Sequence, residues 1–505
     1  MMVSTPERPA TQRKGTARMS GQPSFLQQAP DHPETSARFG DLHPPFDRQA
    51  AIPEANRCLY CFDAPCTTAC PTHIDVPRFI KKIASGNLSG SARTILDANI
   101  LGASCARACP VDVLCEGACV MHRFNKQPIQ IARLQRFAMD ALHASGAPLP
   151  FTPAPDTGLS VALVGAGPAS LACAAELRRR GIRANLYDAR PLPGGLNTYG
   201  VAEYKLPLKE SLREIEMLSQ LGVEFHFETM IDAQVLADLE RTHDAIFLGI
   251  GLGAIHQLGV PGEQLPGVTN ALDLIAGYKS GEHTTVPPRV VVVGAGNTAI
   301  DAAIASVRLG ATDVHIVYRR GEEQMSAFSF EYEHARLEGV KFVWHAQPTR
   351  ILGAEAVEGI ELTQLAPTAD GSIIPEPGSE FSLAADLVVL AIGQGSQTDL
   401  LGALASGAAQ LRPIAQRLRC LRRMPSAGFC PAAWRRWKRK QNDEWSRAEL
   451  SMRREPAKTC RRFRGSCGSL NCWLATRRRG RRPAQILSGS TRRGGFLSRR
   501  QDRWL

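Results

Sequence analysis

Eight cysteines between positions 58 and 119 carry the most distinctive chemistry of this 505-residue chain. They occur in three runs, Cys58-x2-Cys61-x4-Cys66-x3-Cys70-Pro71, Cys105-x3-Cys109-Pro110 and Cys115-x3-Cys119. Thiolates hold cubane iron–sulfur clusters in sets of about four, and where two clusters share one stretch the last cysteine of a run commonly serves the other cluster. The spacing therefore predicts iron–sulfur ligands.

Two other chemistries compete for these cysteines. Disulfides belong to oxidising compartments and small folds, whereas nothing at this N-terminus resembles a secretory signal and the chain is long. Zinc sites usually show paired CxxC motifs or CxxC with histidines, and only one CxxC pair occurs among the eight cysteines. Iron–sulfur ligation is therefore favoured over disulfide bonds and over zinc binding.

A glycine-rich turn follows a strand pattern that begins at Leu159. Gly165 permits the tight turn, Gly167 lets the backbone approach a pyrophosphate, and the next helix offers unpaired N–H groups to phosphates. Asp188 lies 23 residues beyond Gly165, where a carboxylate can bind ribose hydroxyls. The predicted contacts to this first dinucleotide are Gly165, Gly167, Pro168, Ala169, Ser170 and Asp188.

A second unit of the same kind begins at Arg289. Its next strand ends in Arg319 and Arg320 instead of an acid, and a guanidinium there favours a 2′-phosphate, hence NADPH over NADH. The alternative is that both arginines make only surface ion pairs. The predicted contacts to this second dinucleotide are Gly294, Gly296, Asn297, Thr298, Asp301, Arg319 and Arg320.

The elements that must position these residues predict an α/β protein. Helical patterns at 77–85, 91–99 and 129–144 predict an α-helical double-cluster iron–sulfur domain, followed by two Rossmann-like nucleotide-binding domains. A strand pattern ending in Gly393 is expected to return the chain to the first of these. The expected divisions are an extended arm (1–50), the iron–sulfur domain (51–147), an FAD domain (148–285 and 376–409), an inserted NAD(P) domain (286–375) and an aberrant tail (410–505).

The charge of +12 is confined to that tail. Residues 410–505 hold 27 Lys and Arg against 5 Asp and Glu, whereas residues 1–409 hold 33 against 43. The tail shows no apolar period, so we favour a shifted reading frame over an RNA-binding arm. We expect no nucleic-acid partner. No apolar run approaches the ~18–20 residues of a membrane span, so a cytoplasmic protein without a membrane partner is expected.

Together, the cysteine runs and the two glycine turns resemble the electron-input module shared by glutamate synthase small subunits and dihydropyrimidine dehydrogenases, over roughly residues 38–400. The chain looks most similar to the NAD(P)H-accepting subunit of bacterial dihydropyrimidine dehydrogenase. The resemblance implies that FAD receives hydride from NAD(P)H and that two 4Fe-4S clusters pass electrons to an FMN-containing partner that reduces uracil or thymine. No catalytic side chain is expected, because the hydride chemistry is on FAD.

The same resemblance implies two ligand sets. Cys58, Cys61, Cys66 and Cys119 would hold one cluster, and Cys70, Cys109, Cys115 and Gln135 the other. Cys105 is then a small apolar filler, and the alternative for Gln135 is a polar residue on a helix surface. Further FAD contacts are implied at Gly195, Leu196, Lys205 and Gly393.

Two features depart from the family pattern. Ser326 stands where the NADPH-using pyrimidine enzymes have a further arginine, so the nicotinamide is left as NAD(P)H. The glycine-rich Gly-Asp segment and helix that meet the flavin do not follow Gly393. Weak or substoichiometric FAD is therefore expected. The alternatives are a glutamate synthase small subunit and an inactive, frameshifted product.

Overall fold

The computed structural model describes residues 24–30, 37–367 and 373–395, and the backbone of two short strands at 410–413 and 473–476. A helical N-terminal region precedes two parallel sheets flanked by helices. The predicted α/β class is confirmed. Among the helices that can be described, none combines the length and hydropathy needed to cross a bilayer.

Short helices build the region that carries the cysteines. Helix α4 begins after Asp75, whose carboxylate accepts the Arg78 N–H, and its apolar residues lie on one buried face. The helices expected at 77–85, 91–99 and 129–144 are observed within a few residues of those bounds. They are α1 (Phe25–Gln28), α2 (Arg48–Asn56), α3 (Pro65–Ala69), α4 (Val76–Ala84), α5 (Leu88–Ala98), α6 (Gly102–Ala108) and α7 (Ile131–Ala144).

The first nucleotide-binding unit contains the sheet β4-β1-β2-β3, whose strands run parallel. All five residues of β1 are buried, as expected for a strand covered on both faces. Two short strands from the arginine-rich region, Gln410–Pro413 and Trp473–Thr476, extend this sheet beyond β4. The elements are β1 (Ser160–Val164), α8 (Pro168–Arg179), β2 (Arg183–Tyr187), α9 (Leu196–Tyr199), α10 (Leu208–Ser219), β3 (Glu224–His226), α11 (Ala233–Thr242) and β4 (Ala245–Leu248).

The second unit has the parallel order β5-β13-β6-β7-β8, with a small antiparallel sheet, β9 to β12, inserted between β8 and β13. Its parallel part comprises β5 (Val268–Asn270), α12 (Ala271–Ser280), β6 (Arg289–Val293), α13 (Asn297–Arg308), β7 (Asp313–Tyr318), α14 (Ser329–Leu337), β8 (Lys341–Trp344) and β13 (Leu387–Leu390). The inserted strands are β9 (Ala346–Leu352), β10 (Gly359–Pro367), β11 (Ile373–Pro375) and β12 (Phe381–Ala384).

Strand β13 differs from the sequence-based expectation. The sequence predicts that this strand belongs to the FAD domain, but it pairs with β5 and β6 in the second sheet. Two crossing segments then join the units: Gly253 N–H donates to Gly395 O (2.7 Å), and His256 N–H donates to Gly393 O (3.0 Å). A short apolar strand such as β13 could pair beside β1 or beside β6, so the sequence of β13 does not determine which sheet it joins.

The described parts of the N-terminal arm lie on both units. Phe25 packs edge-on against Phe225, with ring centroids 5.2 Å apart, and its N–H donates to Glu216 on α10. Phe39 stacks on Tyr278 of α12 at 4.8 Å. The predicted extended arm therefore contains a short helix, α1, at 25–28.

Candidate cofactor sites

The structure brings Cys58, Cys61, Cys66 and Cys119 into one group. Burial, together with smaller contributions from the nearby Cys58 and Cys119, raises the pKa of the Cys66 thiol to about 12. Burial also raises the pKa of Cys58, with added contributions from Cys61 and Cys119. Thiols that repel one another's charge in this way need a cation to become thiolates. A metal cluster fits that requirement.

A second group lines a cavity under α6 and α7. Its polar lining consists of Cys70, Cys105, Cys109, Cys115 and Gln135, with Ile74, Leu114 and Ile131 among the apolar residues around it. Burial raises the pKa of Cys115 well above its ordinary value. A cavity with four sulfur donors and a dry apolar wall suits an iron–sulfur cluster.

Two helix ends explain how the cysteines reach different groups. Cys70 and Cys109 each follow the last residue of a short helix, and their N–H groups donate to Cys66 O and Cys105 O, both at 3.1 Å. A proline follows each of them and prevents the helix from continuing. Cys66 thus belongs to the first group while Cys70, one helical turn later, turns into the second cavity.

Gln135 and Cys105 both lie at the second cavity. Gln135 is buried on α7, and its side-chain N–H donates to Gly102 O at 2.8 Å, so its oxygen is the atom left for a metal. Cys105, which the resemblance leaves as a small filler, also lines this cavity. Its pKa is lowered because the Cys109 thiol donates to it, and the Gln135 side chain adds to this. The cavity offers five candidate ligands for four positions.

Single substitutions test whether Gln135 or Cys105 is a cluster ligand in the second cavity. Gln135→Leu keeps the buried volume but removes the oxygen, so we expect loss or spectral change of one cluster. Cys105→Ala is expected to keep both clusters, because a neighbouring thiol is not a ligand in the implied set. Iron per chain and the low-temperature EPR spectrum of reduced protein provide the measurement. Loss of a cluster in Cys105→Ala but not in Gln135→Leu would instead identify Cys105 as the ligand.

The first glycine turn forms a cradle for a dinucleotide. Gly165 has φ +88°, and a Cβ there would lie 2.6 Å from Gly249 O. Gly195 has φ +54°, and its Cβ would lie 2.8 Å from the Cα of Gly167. Helix α8 starts after Gly167 without a side-chain cap, so its first N–H groups remain available to a pyrophosphate. These observations fit FAD.

Three residues that were predicted to contact the first dinucleotide, Asp188, Leu196 and Ser170, can be located in the structure. The Asp188 carboxylate accepts the N–H groups of Ala166 (2.6 Å) and Arg190 (2.8 Å), which holds it beside the turn. Leu196 is half exposed at the start of α9. Ser170 is fully buried, and its hydroxyl lies where a Cβ on Gly249 would collide with it, so it acts as a small packing residue.

The second glycine turn is built in the same way. A Cβ on Gly294 would collide with Ala391 O, and Gly296 precedes α13 without a side-chain cap. Ser326 lies beside this turn, its hydroxyl 3.4 Å from a Cβ built on Gly296. Arg319 and Arg320 are exposed directly after β7, and their contact with a nucleotide stays a prediction.

Three further residues of the predicted set lie in the crossing segments and at the start of α13. Gly393 lies in the crossing, where its carbonyl oxygen accepts the His256 N–H at 3.0 Å, and its FAD contact stays a prediction. The Asn297 side-chain oxygen accepts the Phe328 N–H at 3.0 Å, which ties the start of α13 to the segment before α14. Thr298 follows it in the first turn of α13.

Lys205 and Asp301 were assigned to two different cofactors, but they contact each other. Lys205 Nζ lies 2.6 Å from Asp301 Oδ1 and 2.8 Å from Glu331 Oε1, with both pairs nearly buried. Tyr204 donates its hydroxyl to Asp301 at 2.7 Å. This cluster of Tyr204, Lys205, Asp301 and Glu331, the interdomain ionic cluster, joins the first unit to α13 and α14. Local sequence carried no signal for Glu331, because its ion-pair partner Lys205 is 126 residues away.

A family model for pyridine nucleotide-disulphide oxidoreductases matches residues 159–412, half of the chain. The chain belongs to this family. A second model, described as dihydropyrimidine dehydrogenase domain II, 4Fe-4S cluster, matches residues 35–147. The first model thus covers the two nucleotide-binding units of this oxidoreductase, and the second covers its cysteine region.

Relatives of two kinds are similar to this oxidoreductase. It is 35% identical over 372 residues to the glutamate synthase (NADPH) small chain of Halomonas elongata, covering 70% of this chain and 79% of the relative. It is 32% identical over 366 residues to the NAD-dependent dihydropyrimidine dehydrogenase subunit PreT of Escherichia coli, covering 72% and 84%. The expected resemblance to both groups is confirmed.

The oxidoreductase is thus an FAD-dependent NAD(P)H enzyme with a 4Fe-4S region. The predicted enzyme class, FAD, NAD(P)H and iron–sulfur binding are confirmed at this level. The residue assignments, and the presence of two clusters rather than one, stay predictions that rest on the two cysteine groups described above.

Proposed function

We propose that this oxidoreductase is the electron-input subunit of a larger enzyme in the reducing cytoplasm. It takes hydride from NAD(P)H and delivers single electrons, through two 4Fe-4S clusters, to a partner subunit whose FMN reduces uracil or thymine to the 5,6-dihydropyrimidine. Bound FAD can accept two electrons together and release them singly. The observation that carries the proposal is helix α10, which packs against α6 of the second cysteine cavity and against α8 and α9 of the FAD cradle.

The chain's own residues then have defined tasks. The two glycine turns and helix N-termini bind the pyrophosphates, and Asp188 is held beside the first turn by Ala166. The apolar wall around the second cavity excludes water from the cluster. The interdomain ionic cluster holds the first unit against α13 and α14 of the second.

Exposed apolar residues beside the first cysteine group support a partner at that place. Phe62 follows Cys61 and is 100% exposed, and Leu59 and Phe124 are more than half exposed. Clustered exposed apolar residues commonly mark an interaction surface. Electrons that leave through the first cluster would emerge at this surface, so we assign it to the electron-accepting subunit.

Phe62→Asp tests that surface. A charge placed in an apolar contact is expected to weaken partner binding at least about tenfold, equivalent to ~1.4 kcal/mol. NAD(P)H oxidation with a small soluble dye should be unchanged. Leu337→Asp, at an equally apolar position on α14 that is 86% exposed, is the matched control. Equal loss of partner binding in both variants would contradict the assignment.

The glutamate synthase small subunit is the second candidate, because relatives of that kind match over a similar share of the chain. The partner separates the two candidates. The oxidoreductase would be purified with each type of partner subunit, and oxidation of NADH and of NADPH would be followed with uracil or with glutamine and 2-oxoglutarate. Uracil-dependent oxidation supports our proposal. Oxidation that depends on a glutamine-hydrolysing subunit would replace it.

The region after residue 410 provides the third candidate, an inactive product. It lies outside the described residues except for the two short strands at 410–413 and 473–476. The FAD content of the purified chain distinguishes this case: less than one FAD per chain is expected if the flavin site is incomplete. One tightly held FAD together with dye reduction by NAD(P)H would exclude it.

A further inference from the structure

A carboxylate from the first nucleotide-binding unit reaches into the cysteine region. Glu214 lies on α10 and is almost fully buried. Its Oε1 accepts the Ala103 N–H at 2.6 Å, and its Oε2 accepts the Ser104 N–H at 3.1 Å and the Ser104 hydroxyl at 2.5 Å. All three donors belong to the first turn of α6, about 110 residues away in sequence.

Helix α6 depends on this distant carboxylate for its cap. Its own N-cap residue, Leu101, makes no side-chain hydrogen bond, and first-turn N–H groups have no partner within a helix. Glu214 supplies the missing acceptor, in the way that Ser or Asp does at an ordinary N-cap. Since α6 carries Cys105 and Cys109 into the second cavity, Glu214 fixes where these sulfurs lie.

Burial raises the pKa of the Glu214 carboxyl above its usual range, whereas the hydrogen bonds from Ser104 and Ala103 act in the opposite direction and favour its charged form. Both oxygens accept hydrogen bonds, which is the pattern of an ionised carboxylate. Among the residues that the structure describes, no Lys or Arg forms an ion pair with Glu214. The nearest guanidinium on α6, Arg107, is engaged by Asp140 (2.6 Å) and Glu210 (3.3 Å). His143 of α7 faces the same region.

We propose that Glu214 is the positioning residue for the cluster in the second cavity and lowers the reduction potential of that cluster. The inference rests on the proposed function, since it needs a cluster there. Reduction adds one negative charge to a cluster, and a buried carboxylate nearby disfavours that charge. Cluster potentials respond to local charge and to hydrogen bonding around the sulfurs.

Glu214→Gln tests the electrostatic part. The amide keeps the size and one acceptor oxygen, so the variant is expected to fold and to retain its iron. The one-electron reduction equilibrium of one cluster should shift about tenfold towards the reduced form, which corresponds to ~59 mV. An EPR-monitored redox titration of the full chain measures this. Glu214→Ala removes the cap altogether and should lower the iron content, with loss of the same EPR signal.

Glu216→Gln is the matched control. Glu216 lies two residues later on α10 and accepts the Phe25 N–H at 2.9 Å, so it serves a different helix. Both cluster potentials should be unchanged in this variant. If folded Glu214→Gln protein shows unchanged cluster potentials, the proposed role of Glu214 is overturned, but the proposed two-cluster function is not. Wild-type protein with only one EPR-active cluster would overturn the two-cluster function and this inference together.

Discussion

Replacement of Cys109 with serine is expected to remove about half of the iron, because a cubane cluster that loses one of its ligating thiolates is not retained. Cys109 lies in the second cavity with Cys70 and Cys115, whereas Cys66 belongs to the group with Cys58 and Cys119. Cys66→Ser should therefore remove the other half. A variant that carries both substitutions should contain almost no iron.

Cys70 is the most informative position for this experiment, because it lines the second cavity although it lies in the first run of cysteines. Cys70→Ser should abolish the same EPR signal as Cys109→Ser and leave the signal that Cys66→Ser abolishes. Iron, acid-labile sulfide and EPR spectra provide the measurement, and Cys173→Ala, at a buried cysteine of α8, is the control. Loss of the Cys66-dependent signal in Cys70→Ser would contradict the two groups.

Features that depend on short segments could be predicted from the sequence. Gly165 and Gly294 each stand between a buried strand and a helix, and both turns are observed as expected. The helix at 76–84 follows from its Asp75 cap and an apolar face, and the helix at 131–144 follows from its apolar face alone. These are contacts within about 20 residues, for which the local pattern is sufficient.

Features that depend on distant contacts could not be predicted in this way. Glu214 caps a helix about 110 residues away, and Lys205 contacts Asp301 across two units. Both Lys205 and Asp301 lie next to nucleotide-binding motifs, so the motif alone suggested cofactor contacts. Strand β13 is apolar enough for either sheet, and only the packing of the crossing segments at 253–256 and 393–395 determines which one it joins.

Lys205→Met is expected to lower the free energy of unfolding by about 3–5 kcal/mol, the cost of leaving buried charges without a partner. Asp301 and Glu331 would then face each other inside the interdomain ionic cluster without the ammonium that pairs with both of them. The midpoint of urea unfolding measures the loss. Lys341→Met is the matched control: Lys341 pairs with Asp313 at 2.7 Å but is mostly exposed, and such pairs contribute less than about 1 kcal/mol.

The pH dependence of this loss follows from the carboxylates. Burial raises the pKa of Glu331 to about 6, although Lys205 acts in the opposite direction. Without Lys205 that pKa should rise further above its unfolded value near 4.5. A group whose folded pKa is raised stays protonated at low pH and costs stability as the pH rises through that pKa. The defect of Lys205→Met should therefore be large at pH 8 and small at pH 5, and Glu331→Gln in the same chain should reduce it.

FAD affinity decides between this role for Lys205 and the cofactor contact that the sequence suggested. Because its ammonium is held by Asp301 and Glu331, folded Lys205→Met should bind FAD about as well as the parent chain at pH 5, where the protein is more stable. Fluorescence titration of FAD measures this. Weaker FAD binding with an unchanged urea midpoint would restore Lys205 to the flavin site. A lowered midpoint with unchanged FAD binding would establish the ionic cluster as the element that holds the two nucleotide-binding units together.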